Sequence, residues 1–326
     1  MPLVNTNANL PPCLLSGASG MLGTALRRAL AAQATPVVRL VRSPGRAGAP
    51  AQGEVVWSPG AESPLASASA LAGCRAAVHL SGANVGAHRW TAAYKREIAE
   101  SRVASTRALA RALDGLKQPP ECLIVASAVG FYGDRGDEVL DETSPAGTGF
   151  LAEVCRQWEQ AAQPAIDAGI RVVHLRLGVV LGPRGGALEQ MLPAFRLGLG
   201  GPLGSGRQWM SWISLEDAVR AILFALSPPA SEALAGPVNL TAPQPVTNAE
   251  FTRLLAAHLH RPAFFRAPAF ALRLAFGQMA DETLLASARV LPARLTAAAF
   301  QFTHPTVDRA LACALGTAPV RSAALS

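Results

Sequence analysis

Three glycines at three-residue spacing, Gly17, Gly20 and Gly23, lie in the stretch Cys13 to Leu30 between a short apolar run and a helical pattern. Strand, then G-x-x-G-x-x-G, then helix is an arrangement suited to phosphate. Glycine lets the backbone approach a pyrophosphate, and the helix amino end offers unpaired N–H donors and a favourable dipole. Gly17 is placed for the turn and Gly20 for the close approach, with Ser19, Met21, Leu22 and Gly23 completing the cradle. The same spacing also fits a tight strand-to-helix turn with no ligand. An ATP-binding P-loop needs Gly-Lys-Ser/Thr, and neither Lys95 nor Lys117, the only lysines, follows a glycine.

A dinucleotide remains, and the end of the second apolar run discriminates between its two forms. A site for NAD normally puts a carboxylate there for the ribose 2'-hydroxyl, but no Asp or Glu precedes Glu54. Arg39 and Arg42 stand there instead. Arg42, followed by Ser43, is placed to pair with a 2'-phosphate through its planar fork, so NADP(H) is expected in preference to NAD(H). A solvated strand-end charge is the other reading of Arg42.

The elements that must position these residues are legible from periodicity. From Cys13 to about Leu181, apolar runs (CLLSG, PVVRLVR, EVVWS, AAVHLSG, ECLIVASA, RVVHLRLGVVL) alternate with amphipathic stretches. Such runs read as buried parallel strands separated by helices, a doubly wound α/β sheet. Leu22, Leu26, Ala29 and Leu30 form the buried face of the first helix. Long helices are expected from about Thr91 to Leu116 and from about Phe150 to Ala168. After Pro183 the rhythm becomes Gly- and Pro-rich, then LEDAVRAILFAL forms a helix and Thr247 with Glu250 makes a capping box. The last sixty or so residues read as helical and irregular, broken at Pro262, Pro268, Pro292 and Pro305. The expected organisation is a disordered leader at 1–12 and a Rossmann-type NADP-binding domain at 13–183 with about 212–240. A smaller, mostly helical substrate-side domain follows at 184–211 and 241–312, and 313–326 is a tail.

Composition removes several function classes. Half of the 326 residues are apolar, enough for a substantial core, and no stretch offers about 18 uninterrupted apolar residues. The first dozen residues lack the pattern of an export signal, so a cytoplasmic protein is expected with no membrane partner. The net charge of +7 comes almost wholly from dispersed arginines, and only 6% of residues are aromatic, so no nucleic-acid stripe forms. Five scattered cysteines without a C-x-x-C pair fit reduced thiols, and His258 and His260 point to different helix faces, so no metal is expected.

The strings GASGMLG, HLSGANVG, ASAVGFYGDRGD and LRLGVVLGPRGGAL, in this order, resemble the extended short-chain dehydrogenase/reductases. HRWTAAYKREIAESR, FLAEVCRQWE, GLGGPLGSGRQWMSWI, PVNLTAPQPVTNAEFT and FGQMADETLLASARVLPARL resemble its atypical YfcH-like, epimerase-family branch, over about Leu14 to Leu311. That resemblance implies cofactor contacts from Ser81, Gly82, Ala83, Ser127, Leu177 and Gly178, and a homodimer built on the helices around 91–116 and 150–168. In the superfamily a Tyr-x-x-x-Lys pair on the helix after strand five does the proton work. Here the corresponding places read Phe150 and Val154.

Ser127 and Tyr132 are the remaining catalytic candidates near the expected site. Arg89 and Trp90 after strand four, with Arg207, Trp209 and Trp212 in the Gly-rich segment, are the candidate walls for a small polar substrate, anionic or nucleotide-linked. Asp217 reads as a helix-end stabiliser. Two functions therefore stay open: an NADP(H)-dependent reductase or epimerase-like enzyme, and an NADP(H)-holding sensor without turnover.

Overall fold

The computed structural model describes residues 12–42, 52–61, 71, 73–227 and 234–319. Nearly all of the leader, Ser43 and the tail from residue 320 lie outside the described residues.

The apolar runs become strands. β1 (Cys13–Ser16) is buried at every position; β2 (Val37–Val41) and β3 (Glu54–Val56) are only partly so. β4 (Ala76–His79) is buried throughout and β5 (Cys122–Ala128) nearly so, as expected for central parallel strands covered on both faces. β6 (Val139–Leu140), β7 (Arg171–Leu177), β8 (Val179–Leu181), β9 (Trp209–Met210), β10 (Trp212–Ser214) and β11 (Gly236–Leu240) follow. The central sheet runs β3-β2-β1-β4-β5-β7-β11. Register pairs are parallel from β3 through β5, with Cys13 opposite both Val37 and Ala76. Strand order reverses between β1 and β4, and this switch point is where an open α/β sheet binds its ligand.

Helix α1 (Met21–Ala32) buries Gly23, Leu26 and Leu30, and α2 (Ala92–Asp114) starts at Thr91, whose hydroxyl accepts from the Tyr94 N–H at 3.1 Å. The expected helix from 150 to 168 is two: α3 (Phe150–Gln160) and α4 (Gln163–Asp167). Pro164 lies in the first turn of α4, where its missing N–H is harmless, whereas inside one continuous helix it would break the ladder. α5 (Gly186–Arg196) and α6 (Leu215–Leu226) follow, and Thr247 caps the helix Asn248–Leu259 by accepting from the Glu250 N–H at 3.2 Å. Pro268 and Pro292 each stand immediately before a short helix. Among the described residues no helix is long and apolar enough to cross a membrane.

The chain divides into two compact units. The first comprises 1–127, 154–175 and 219–238, and the second 128–153, 176–218 and 239–326. The division at 13–183 with about 212–240 therefore differs at 128–153, 176–183, 212–218 and 239–240, which cluster with the second unit. The reason is local pairing: β6 lies parallel to the strand Arg289–Val290, β8 parallel to β10, and Asp134 accepts from the Ser287 N–H at 3.1 Å. The second unit has its own core, in which Leu188, Phe195, Trp212, Phe251, Leu255 and Leu311 meet.

Candidate functional site

In the first unit the loop after β1 is shaped by its glycines. Gly17 has φ +68°, and a β-carbon there would stand 2.7 Å from the Leu80 carbonyl. A β-carbon on Gly23 would lie inside the Gly17 carbonyl oxygen, so the third glycine serves close packing of helix on loop. Gly20 occupies the position before α1, its N–H bonded to Gly17 O at 3.1 Å, and the first turn of α1 carries no acidic residue. The amino end of α1 thus presents backbone donors and a positive dipole end with no carboxylate of its own to occupy them.

The loop after β4 is held from α2. Ala83 N–H donates to Ser101 Oγ at 3.1 Å, Arg102 donates to Ala83 O at 2.9 Å, and the Tyr94 hydroxyl donates to Asn84 O. The Arg102 guanidinium lies 5.1 Å from the Trp158 ring centre and crowds Gly82, where a β-carbon would meet it at 3.2 Å. Beneath both loops, Ser16 Oγ and His79 Nδ1 are 2.6 Å apart, and His79 Nε2 is 3.1 Å from Ser105 Oγ. Burial lowers the His79 pKa to about 4, so this ring is neutral near pH 7.

These elements enclose a cleft of about 1040 Å³ at the carboxyl ends of β1, β2 and β4. Gly17, Ser19, Gly20, Arg42, Ser81, Gly82 and Ala83 line it. Met21 and Leu22 lie in the first turn of α1. Arg42 is exposed at the end of β2, whereas Arg39 is bound to Glu54, its register partner on β3, at 2.8 Å. Sequence reasoning missed Thr24, Arg27, Asn84 and Tyr94, which also line the cleft. The only available signal was the helical spacing of Tyr94, Ser101 and Arg102, which puts them on one face of α2.

Other candidates fall elsewhere. Ser127 is buried at the end of β5 and donates to Glu159 Oε1 at 2.8 Å, a partner 32 positions on that no local spacing announces. Trp90 is a correction: its ring is buried and its Nε1 donates to Val85 O at 2.8 Å, so it fastens its own loop instead of covering a ligand. Arg89 is exposed.

In the second unit Tyr132 is fully buried. Its hydroxyl is 2.9 Å from Asp141 O and 2.7 Å from Asn239 Oδ1, and it accepts from Arg176 at 3.0 Å. Burial raises its pKa, against the opposing pull of Arg176. Those contacts make Tyr132 a buried structural crosslink, a correction to the proton-donor role expected from the sequence. Trp212 is likewise a correction: fully buried, with Nε1 donating to Gln244 O at 3.0 Å, it is core. Trp209 is half-buried, its Nε1 2.7 Å from Asp137 and its ring under Arg289, and Arg207 is exposed. Leu177 ends β7, and a β-carbon on Gly178 would meet Ser211 O at 2.6 Å, so that glycine has a packing cause. Asp217 is buried and accepts from the Thr303 and His304 N–H groups at 2.8 Å each; it tethers a distant segment. Phe150 and Val154 lie on α3, whose amino end is capped by Glu282 accepting from the Phe150 and Leu151 N–H groups at 3.1 and 2.7 Å.

With this geometry in place, comparison with known proteins decides the family. The model of the "NAD dependent epimerase/dehydratase family" matches residues 13–240. The chain belongs to that family. A domain of unknown function, DUF1731, matches residues 267–314, the tail with the short helices. This family member is 48% identical over 298 residues to the epimerase family protein Mb2239 of Mycobacterium bovis, covering 91% of this chain and 95% of that one. The human epimerase family protein SDR39U1 (isoform 2), solved with NADPH, superposes with a TM-score of 0.84 at 35% identity, covering 94% of this chain and 99% of that one. A nucleoside-diphosphate sugar epimerase from Corynebacterium glutamicum gives a TM-score of 0.74 at 36% identity over 95% of this chain and 59% of the other. The resemblance read from the sequence strings is therefore correct at the level of family and fold.

Proposed function

We propose that this chain binds NADP(H) and is an atypical short-chain dehydrogenase/reductase, an oxidoreductase or epimerase-like enzyme acting on a small, polar, nucleotide-linked substrate. One observation carries the reading: the amino end of α1, Arg27 and the exposed Arg42 line one cleft, while Glu54, the carboxylate of the neighbouring strand, is held by Arg39. Backbone donors and a helix dipole suit a pyrophosphate, and an exposed guanidinium at the end of β2 suits a 2'-phosphate. Gly17 and Gly23 keep this loop tight against Leu80 and against the start of α1, because a side chain at either would strike backbone. NADPH in the human relative and the sugar-nucleotide epimerase likeness support the same assignment.

When bound, the nicotinamide supplies hydride transfer at its C4. The chain's own part is to hold the phosphates at the first turn of α1, to position the ligand against Ser81–Ala83, and to fix the Ser127 hydroxyl through Glu159. A second reading, ligand holding without turnover, is favoured by Phe150 and Val154 in place of the superfamily's proton-handling pair.

The test is titration of nucleotide-stripped protein with NADPH and NADH, repeated with Arg42→Ala. Loss of one charge-assisted contact should weaken NADPH about ten- to hundredfold and leave NADH within about twofold. Equal affinities in the unaltered protein overturn the 2'-phosphate assignment. NADPH oxidation across a metabolite panel, lost in Ser127→Ala with binding intact, separates enzyme from sensor.

A further inference from the structure

The second unit brings together three side chains that the cofactor reading does not use. Glu216 lies in the first turn of α6, His304 in the segment after the helix Ala293–Ala297, and Cys313 on the helix Val307–Leu315. A carboxylate oxygen, a ring nitrogen and the thiol sulfur from these three all lie within 4.8 Å of one another. Glu216 and Cys313 are exposed and His304 is half-buried, so the cluster is open to solvent on one side.

The supports of the three groups are rigid. The buried Asp217 carboxylate accepts from the backbone N–H of Thr303 and of His304, fixing the segment that carries the imidazole. Ser214 Oγ lies 3.1 Å from His304 Nδ1, and an Asp217 oxygen lies 3.9 Å from the same atom. Nδ1 is thereby engaged, which leaves Nε2 to ligate, in the way metal-binding imidazoles are oriented by a polar group on their far nitrogen. The helix bearing Cys313 buries Ala310, Leu311 and Ala314 in the unit's core, so its position is set by packing.

We propose that Glu216, His304 and Cys313 form a Zn²⁺ site with three protein ligands and a water-accessible fourth position. One thiolate, one imidazole and one carboxylate are a donor set that zinc takes, and soft sulfur disfavours magnesium and calcium. Zinc bonds of about 2.0–2.3 Å set tetrahedral ligand-to-ligand distances near about 3.5 Å, so closing the site takes about 1 Å of side-chain movement. The exposed Glu216 and Cys313 side chains can supply that through rotamer changes. Bound zinc would clasp the start of α6 to the last helix.

The test uses chelator-treated full-length protein and Co²⁺ as the probe. One equivalent should bind, with a thiolate-to-cobalt charge-transfer band and the visible bands of four-coordinate cobalt, both removed by Zn²⁺. Cys313→Ser should abolish the charge-transfer band, and Glu216→Gln and His304→Gln should each weaken cobalt binding about tenfold or more. The other four cysteines are buried, so a thiol reagent on the native protein reports Cys313, and Zn²⁺ should slow that reaction about tenfold or more. A wild-type protein with no charge-transfer band and no zinc protection overturns the site. So does a band that persists unchanged in both His304→Gln and Glu216→Gln, the latter an exposed change that leaves the fold intact.

Discussion

Replacing His79 by Gln should remove a defined part of the protein's acid sensitivity. The ring is fully buried under the cleft, between Ser16 and Ser105, with Trp57 edge-on at 5.8 Å. Burial takes its pKa from 6.5 to about 4. The folded protein thus keeps a neutral imidazole, while the unfolded chain takes up a proton as the pH falls below 6.5. Because the unfolded state binds more protons, the stability linked to His79 is fully present above pH 6.5 and is lost progressively as pH falls towards 4. The full shift corresponds to about 3 kcal/mol, and about 2 kcal/mol of it is lost between about pH 7.5 and about pH 5.

Urea unfolding followed by circular dichroism at several pH values in that range measures this directly. Carboxylates and the other histidines titrate in both proteins, so the difference between wild type and His79→Gln isolates the one ring. His79→Gln is expected to be less stable than wild type near neutrality, through lost hydrogen bonds, but flatter towards acid. A wild-type-minus-variant difference that stays constant from about pH 7.5 to about pH 5, within about 0.5 kcal/mol, would refute the buried neutral histidine.

Tyr132→Phe leaves Arg176 and Asn239 without their shared hydroxyl and should cost about 1–3 kcal/mol, read as a lowered melting temperature. Unchanged stability with lost turnover would return Tyr132 to the chemistry. Gly23→Ala drives a methyl into the Gly17 carbonyl and displaces the loop, so NADPH affinity should fall about tenfold or more while the circular dichroism spectrum is preserved. Normal NADPH binding by that variant would mean the loop does not hold the phosphates.

The sequence determined a good deal by itself because the relevant signals are local. Strand runs such as CLLS and CLIVASA carry their own period and burial on both faces, the capping pair Thr247 and Glu250 is read within four residues, and the glycine loop is one turn long. Arg42 could be placed at the end of β2 because it directly follows the apolar run that forms the strand. Periodicity does not say what a side chain meets across the fold. Trp90 and Trp212 look alike as candidate pocket walls in sequence, yet backbone carbonyls capture both indoles and bury them. Ser127 with Glu159, Tyr132 with Asn239, and Asp217 with the Thr303–His304 backbone are joined over long separations. Glu216 likewise lies far along the chain from His304 and Cys313, and the three belong to no spacing motif. Only tertiary packing decides such pairs, because a buried polar group must find its partner wherever the folded backbone brings one within hydrogen-bonding distance.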